Sequence, residues 1–209
     1  MQSHETPRAS SGLTAYWSRL SAVWRQKDYR WFWLSSSAQG LAQGTQFMVI
    51  GWLVLQITGS SAQLGLVIFL YGVPNVSLLL VAGVIADRFD RRSVIAAMFA
   101  VNVVHNLVLA VLVMTDNVEI WMLVALALVN GSARAAQMPA AQALIPNLVP
   151  RPLLLNGIAL SQAAGLGSRL LGPAAIAPML GKTGLEGAFF LCSAFYLVSL
   201  VQALRVRAA

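Results

Sequence analysis

Apolar residues run through this chain in blocks of about twenty, broken by short polar punctuation, and no stretch alternates with a period of two. A helix of that length crosses the hydrocarbon core of a bilayer and satisfies its own backbone there. The absence of alternation argues against a barrel. Six blocks are predicted as spans, at about 31–55, 62–86, 94–114, 120–139, 155–180 and 185–204. Three connections are tight: Gly59-Ser60-Ser61, Thr115-Asp116-Asn117 and Lys182-Thr183-Gly184. Between the fourth and fifth blocks, Ala140 to Leu154 holds Pro146, Pro150 and Pro152, a density that reads as a break in the helix. The pattern therefore predicts an all-α membrane protein, with six transmembrane helices over residues 31–205 and a separate segment over 1–30.

In that first segment Leu13, Tyr16, Trp17, Leu20, Val23 and Trp24 recur at helical spacing beside Arg19, Arg25 and Lys27. This predicts an amphipathic helix in the headgroup region; a disordered tail carrying a few aromatics is the alternative. It is not a secretory signal, because the apolar run that follows is too long and no small-x-small cleavage site appears.

Composition changes the picture in one respect. Of the 209 residues 58% are hydrophobic and 10% charged, against roughly 25% charged in a soluble domain. The net charge of +7 is unevenly placed. With six spans, Arg8, Arg19, Arg25, Lys27, Arg30, Arg88, Arg91, Arg92, Arg151, Arg205 and Arg207 share one side, and Lys182 stands on the other. That imbalance predicts a multi-pass protein of the inner (plasma) membrane with both termini cytoplasmic. The positive charge then reports topology and contact with anionic lipid, not nucleic acid.

Catalytic chemistry finds little support. Cys192 is alone inside the sixth span, where it reads as a packing residue, and His4 and His105 are too far apart to suggest a ligand pair. No Ser-His-Asp set, HExxH, phosphate loop or CxxC occurs. The reading is a non-enzyme with no metal and no bound cofactor.

The informative residues are polar groups within the spans. Ser36, Gln39, Gln43 and Gln46 fall on one face of the first, and Asn102, His105 and Asn106 on one face of the third. The fourth carries Asn130, Ser132, Arg134 and Gln137, and the fifth Ser161, Gln162, Ser168 and Arg169. Such stripes either line a water-filled pathway or act as interhelical glue. Both readings stand for the Gln stripe and for Asn102. The arginines are costlier, since a charge at the bilayer centre costs about 2.5–3.5 kcal/mol. Arg169 lies halfway along its span; Arg134 lies within about a turn and a half of a span end and can snorkel there. All seven Asp and Glu fall in loops, tails or span ends, so the counter-charge is an anionic substrate, a carbonyl cluster or a residue of a second chain. Gln39, Gln43, His105, Arg134 and Arg169 are the candidate substrate and proton pathway. Titration at His105 competes with a packing role.

Several segments also carry a family resemblance. Gly83-Val-Ile-Ala-Asp87-Arg88-Phe-Asp90-Arg91-Arg92 resembles the signature loop Gly-x-x-x-Asp-Arg-x-Gly-Arg-Arg/Lys of the major facilitator superfamily, with Asp90 where the family usually has glycine. Arg134-Ala-Ala-Gln137 resembles the Arg-x-x-Gln-Gly element of proton-coupled facilitators, with Met138 in place of the glycine. Gly167-Ser-Arg-Leu-Leu-Gly172-Pro173 is similar to the antiporter motif of drug and metabolite exporters, with Ala177 where glycine is common. Pro139-Ala140, Ala143, Pro146-Asn147-Leu148-Val149 and Asn156-Gly157 are similar to the exporter branch that includes siderophore-exporter-like proteins.

The resemblance implies a 3+3 inverted repeat equivalent to one half of a facilitator, exporting a small molecule by alternating access at the expense of a proton gradient. It assigns Gly83, Asp87, Arg88, Arg91 and Arg92 to a conformational latch, and Gly167, Gly172 and Pro173 to close helix packing. The expected partners are the bilayer, a small-molecule substrate, and a second copy or a second six-helix half. Two other readings are a truncated, transport-inactive fragment of a full-length exporter and a membrane scaffold or regulatory partner.

Overall fold

The computed structural model describes residues 20–78 and 90–207, and their regular structure is helical. Helix α1 is Lys27–Thr58 and ends at Gly59, whose φ of 61° only glycine adopts cheaply and whose N–H donates to the Leu55 carbonyl. Helix α2, Ser61–Ser77, starts on Ser60, whose hydroxyl accepts from the Gln63 amide. Helix α3 is Arg91–Met114 and α4 is Ile120–Leu148. After a 3-10 turn, Arg151–Leu153, the helical run Leu154–Ala203 is broken at Gly184 (φ 66°, ψ −173°). It is therefore two helices, α5 over residues 154–183 and α6 over 185–203. Lys182 and Thr183, expected in a connection, still belong to α5.

Among the described residues four segments are long and apolar enough to cross a membrane: Lys27–Thr58, Arg91–Met114, Ile120–Leu148 and Leu180–Ala203. Helix α2 is apolar but shorter, and the rest of the block expected at 62–86 lies outside the described residues.

The fourth helix corrects the sequence reading. It does not stop at Pro139 but runs through both Pro139 and Pro146 to Leu148. Proline removes one backbone donor and frees one carbonyl, a defect that packed membrane helices tolerate when a neighbour supplies a donor. The carbonyls freed are those of Ala135 and Gln142, four residues before each proline; the neighbouring Ala143 carbonyl accepts from Arg91, at the start of α3, at 2.6 Å. The helix ends where Val149 turns extended (φ −132°, ψ 134°), the conformation forced on a residue before proline. Arg134 consequently sits at the middle of α4, fourteen residues from either end.

Two close crossings organise the bundle. Gly40 and Gly44 share a face of α1, and Ser168 and Gly172 a face of α5. A Cβ on Gly40 would stand 2.8 Å from that of Ser168. One on Gly44 would strike the Arg169 carbonyl, and one on Gly172 the Leu41 carbonyl. Small residues here let two backbones touch, which is how membrane helices gain dispersion energy without a hydrophobic drive. The second crossing is between α2 and α4, where a Cβ on Gly131 would strike the Tyr71 carbonyl. Gly167, expected at a packed position, has nothing within 4 Å of its Cβ site; Gly172 makes the contact, with half-buried Pro173 beside it.

The apolar core is divided. One cluster gathers Tyr29, Phe32, Phe99, Leu144, Tyr196 and Ala203 around the start of α1. The other gathers Val49, Leu53, Leu109, Leu123, Ile176 and Phe189 at its far end. Val23, in the helical residues 20–25, is fully buried in the first cluster, and Trp24 lies 4.9 Å from Trp33. The end of the expected amphipathic segment thus packs on the bundle; Leu13, Tyr16 and Trp17 fall outside the described residues. Cys192 is buried against the Ala42 carbonyl, the packing role its isolation implied.

Candidate functional site

Between the two apolar clusters lies a layer of amides, one imidazole and two guanidinia, and it contains two arrangements. The first is closed but for Asn106 Oδ1 and one nitrogen of His105, which have no hydrogen-bond partner among the described residues. Asn102 on α3 accepts from Asn130 Nδ2 on α4 at 2.7 Å and donates to the Met98 carbonyl. Asn106 Nδ2 donates both to the Asn102 carbonyl and to Gln46 Oε1 on α1, at 2.8 and 3.1 Å. With its oxygen so engaged, Gln46 turns Nε2 toward His105 Nε2 at 3.3 Å. That ring nitrogen is then the acceptor, and the proton of the neutral ring sits on Nδ1. Nδ1 is buried with no hydrogen-bond partner among the described residues. Gln46, Asn102, Asn106 and Asn130 are all buried, so most of the third-span stripe is interhelical glue.

The second arrangement is open. Arg169 on α5 donates from Nε to Gln43 Oε1 at 2.8 Å, and Gln43 Nε2 donates to the Tyr71 hydroxyl on α2 at 3.4 Å. Arg134 faces the same space. These residues border two cavities. One, of about 670 Å³, is lined by Gln43 to Leu55 of α1, Leu64 to Tyr71 of α2, His105 and Leu109 of α3, and Leu123 to Arg134 of α4. The other, of about 280 Å³, is lined by Phe32 to Gln43 of α1, Arg134 to Ile145 of α4, and Ser161 to Arg169 of α5. Because consecutive helices run in opposite directions, these sets belong to opposite ends of the bundle. Gln43, Arg134 and Arg169 line both cavities. They form the partition between them.

All five expected pathway residues line a cavity. Gln39 faces the smaller one, His105 the larger, and Gln43, Arg134 and Arg169 both. Tyr71 was missed, since one hydroxyl in an apolar run gives no sequence signal. Gly40, Gly44 and Gly131 were missed too, although Gly40 and Gly44 carry the four-residue spacing of a packing face.

Of the expected latch, Gly83, Asp87 and Arg88 lie outside the described residues. Arg91 holds the Ala143 carbonyl, and Arg92 donates to the Leu204 carbonyl beyond the end of α6. Nearby, Arg205 stacks on Trp31 at 4.9 Å and the Arg207 amide approaches Asp28 at 3.4 Å. These contacts tie the ends of α1, α3, α4 and α6 together. Asp90 caps α3: its Oδ2 accepts from the Ser93 hydroxyl and amide at 2.8 and 3.0 Å. The hydroxyl bond is the main cause of a carboxyl held below its ordinary range. With φ at −57°, Asp90 needs no glycine-like freedom.

A helical bundle with charged groups at mid-depth and cavities on either side of them has the features of a polytopic membrane transporter. A family model described as transmembrane secretion effector, of the major facilitator class, matches residues 18–209, and the chain belongs to that family. The superfamily resemblance drawn from residues 83–92, 134–137 and 167–173 is thereby confirmed. The chain is also similar to an uncharacterised MFS-type transporter, YfiS, of Bacillus subtilis (strain 168), at 24% identity over 147 residues. That match covers 70% of this chain and 34% of the relative, so the chain spans about a third of the relative's length. The family is one of membrane transporters rather than enzymes.

Proposed function

We propose that this chain is a six-helix transport unit that moves a small molecule across the inner membrane by alternating access, outward and driven by protons, when paired with a second such unit. The observation that carries the reading is the partition of Gln43, Arg134 and Arg169 between cavities at opposite ends of the bundle. A site reachable from one end and then the other is what alternating access requires. Both termini are cytoplasmic, which puts the smaller cavity and the Arg91 and Arg92 contacts inside the cell. Together with Gly83, Asp87 and Arg88 they form the latch that closes that side.

A 3+3 inverted repeat is supported by the two crossings. Gln43-Gly44 on α1 meets α5 at the Arg169 carbonyl; Asn130-Gly131 on α4 meets α2 at the Tyr71 carbonyl. Exchanging helices one, two and three for four, five and six converts the first crossing into the second, with an amide before each glycine. Proton coupling follows the antiporter-like motif at Gly172 and Pro173, with His105 or a partner's carboxylate as carrier. The partner is a second copy or a second six-helix half, in keeping with the greater length of the relative.

The test is the detergent-corrected mass of the purified chain, followed by proton-driven flux from vesicles that contain it. A two-unit assembly whose flux falls in Arg134→Gln supports the reading. A monomer without flux, alone or with any co-expressed second unit, overturns it.

A further inference from the structure

We propose that the larger cavity binds an amphipathic organic anion, with its charged group between Arg134, Arg169 and Tyr71 and its apolar body along α1, α2 and α4. The inference names the substrate class of the partition and so rests on its reading as the transport pathway.

Three observations converge. Both arginines line the cavity at mid-helix, and among the described residues no carboxylate lines either cavity. Two of the amide acceptors that line the cavity are already used. Gln43 Oε1 is taken by Arg169 and Gln46 Oε1 by Asn106. Donors remain: the terminal nitrogens of Arg169 and the proton of a Tyr71 hydroxyl whose oxygen accepts from Gln43. A cavity end with spare donors and two positive charges selects a group that only accepts, and a planar carboxylate suits a guanidinium best. The remaining wall is apolar, with Phe47, Ile50, Leu64, Val67, Leu109 and Leu123. About 670 Å³ holds a ligand of several rings. A small hydrophilic anion would leave that wall unfilled, and a cation would meet two like charges.

The experiment compares three probes that share one ring system, 2-naphthoate, 2-naphthamide and 2-naphthylmethylammonium, binding to the chain in phosphatidylcholine nanodiscs. Naphthoate should bind at least tenfold more tightly than the amide, and the ammonium most weakly. Arg134→Gln with Arg169→Gln should remove the preference, Arg134→Lys with Arg169→Lys should keep most of it, and Gly51→Phe in the cavity wall should abolish binding of all three. Circular dichroism establishes that each variant is folded. Equal affinity for naphthoate and naphthamide, or a preference that survives the double Gln variant, overturns the proposal. Selective binding without vesicle flux would sustain it while removing the transport reading. Flux indifferent to probe charge and to both arginines would do the reverse.

Discussion

The amides around Asn106 and those around Gln43 are the same chemical groups at the same depth, yet they do different work. Around Asn106 nearly every donor has met an acceptor on a neighbouring helix, at distances of 2.7 to 3.3 Å. Around Gln43 the bonds stop at a cavity, and the arginines and Tyr71 keep capacity to spare. A polar stripe inside a membrane helix is therefore not one signal. Glue and pathway separate only when each group's partners are counted, because an unspent donor in a cavity is available to a ligand and a spent one holds two helices together.

The comparison breaks most completely at the crossing beneath both clusters. Gly172→Leu should abolish recovery of folded protein from detergent extracts, since the Leu41 carbonyl occupies the space the new side chain needs. Gly167→Ala, in open space, should be neutral, and equal yields from the two would undo the crossing's role.

Within the closed cluster, Asn106→Leu leaves Gln46 and the Asn102 carbonyl without their donor. A cost of about 1 kcal/mol is expected, seen as a fall of about 2–4 °C in the melting temperature in detergent. Tyr71→Phe in the open cluster should stay within about 0.5 kcal/mol while weakening naphthoate binding. If both variants cost the same stability, the clusters do not differ in kind.

The smallest effect lies at Asp90. Its carboxyl is held below the ordinary value by Ser93, so the cap is intact at neutral pH and is lost as pH falls through that lowered value. Protection from hydrogen exchange at the first turn of α3, taken relative to the intrinsic rate at each pH, should fall below about pH 4 and lose this dependence in Asp90→Asn.

Much of the architecture could be read from residues alone. Gly59, Ser60 and Asp90 mark helix ends by chemistry that works locally, and the connections expected at Gly59-Ser60 and Thr115-Asp116-Asn117 fall where such residues stand. The fourth helix could not be read the same way. Pro139 and Pro146 look like a break because proline's cost is reckoned for an isolated helix, and the contacts that hold α4 in the bundle are distant in sequence: Arg91 lies 52 residues from the Ala143 carbonyl it reaches. The pairing of Arg169 with Gln43 is hidden for the same reason, at a separation of 126 residues. Asn102 and His105 share a face and a stripe, but only the packed bundle gives one of them to α4 and the other to a cavity.

The crossing of α1 on α5 at Gly40, Gly44 and Gly172 also divides the molecule mechanically. With no side chain between them, these two helices must travel together, as must α2 and α4 across Gly131. Arg169 rides on the first pair and Arg134 on the second, so two like charges border the same cavities from either side of the seam between the pairs. On the proposed reading, an anion seated between the arginines bridges the two pairs.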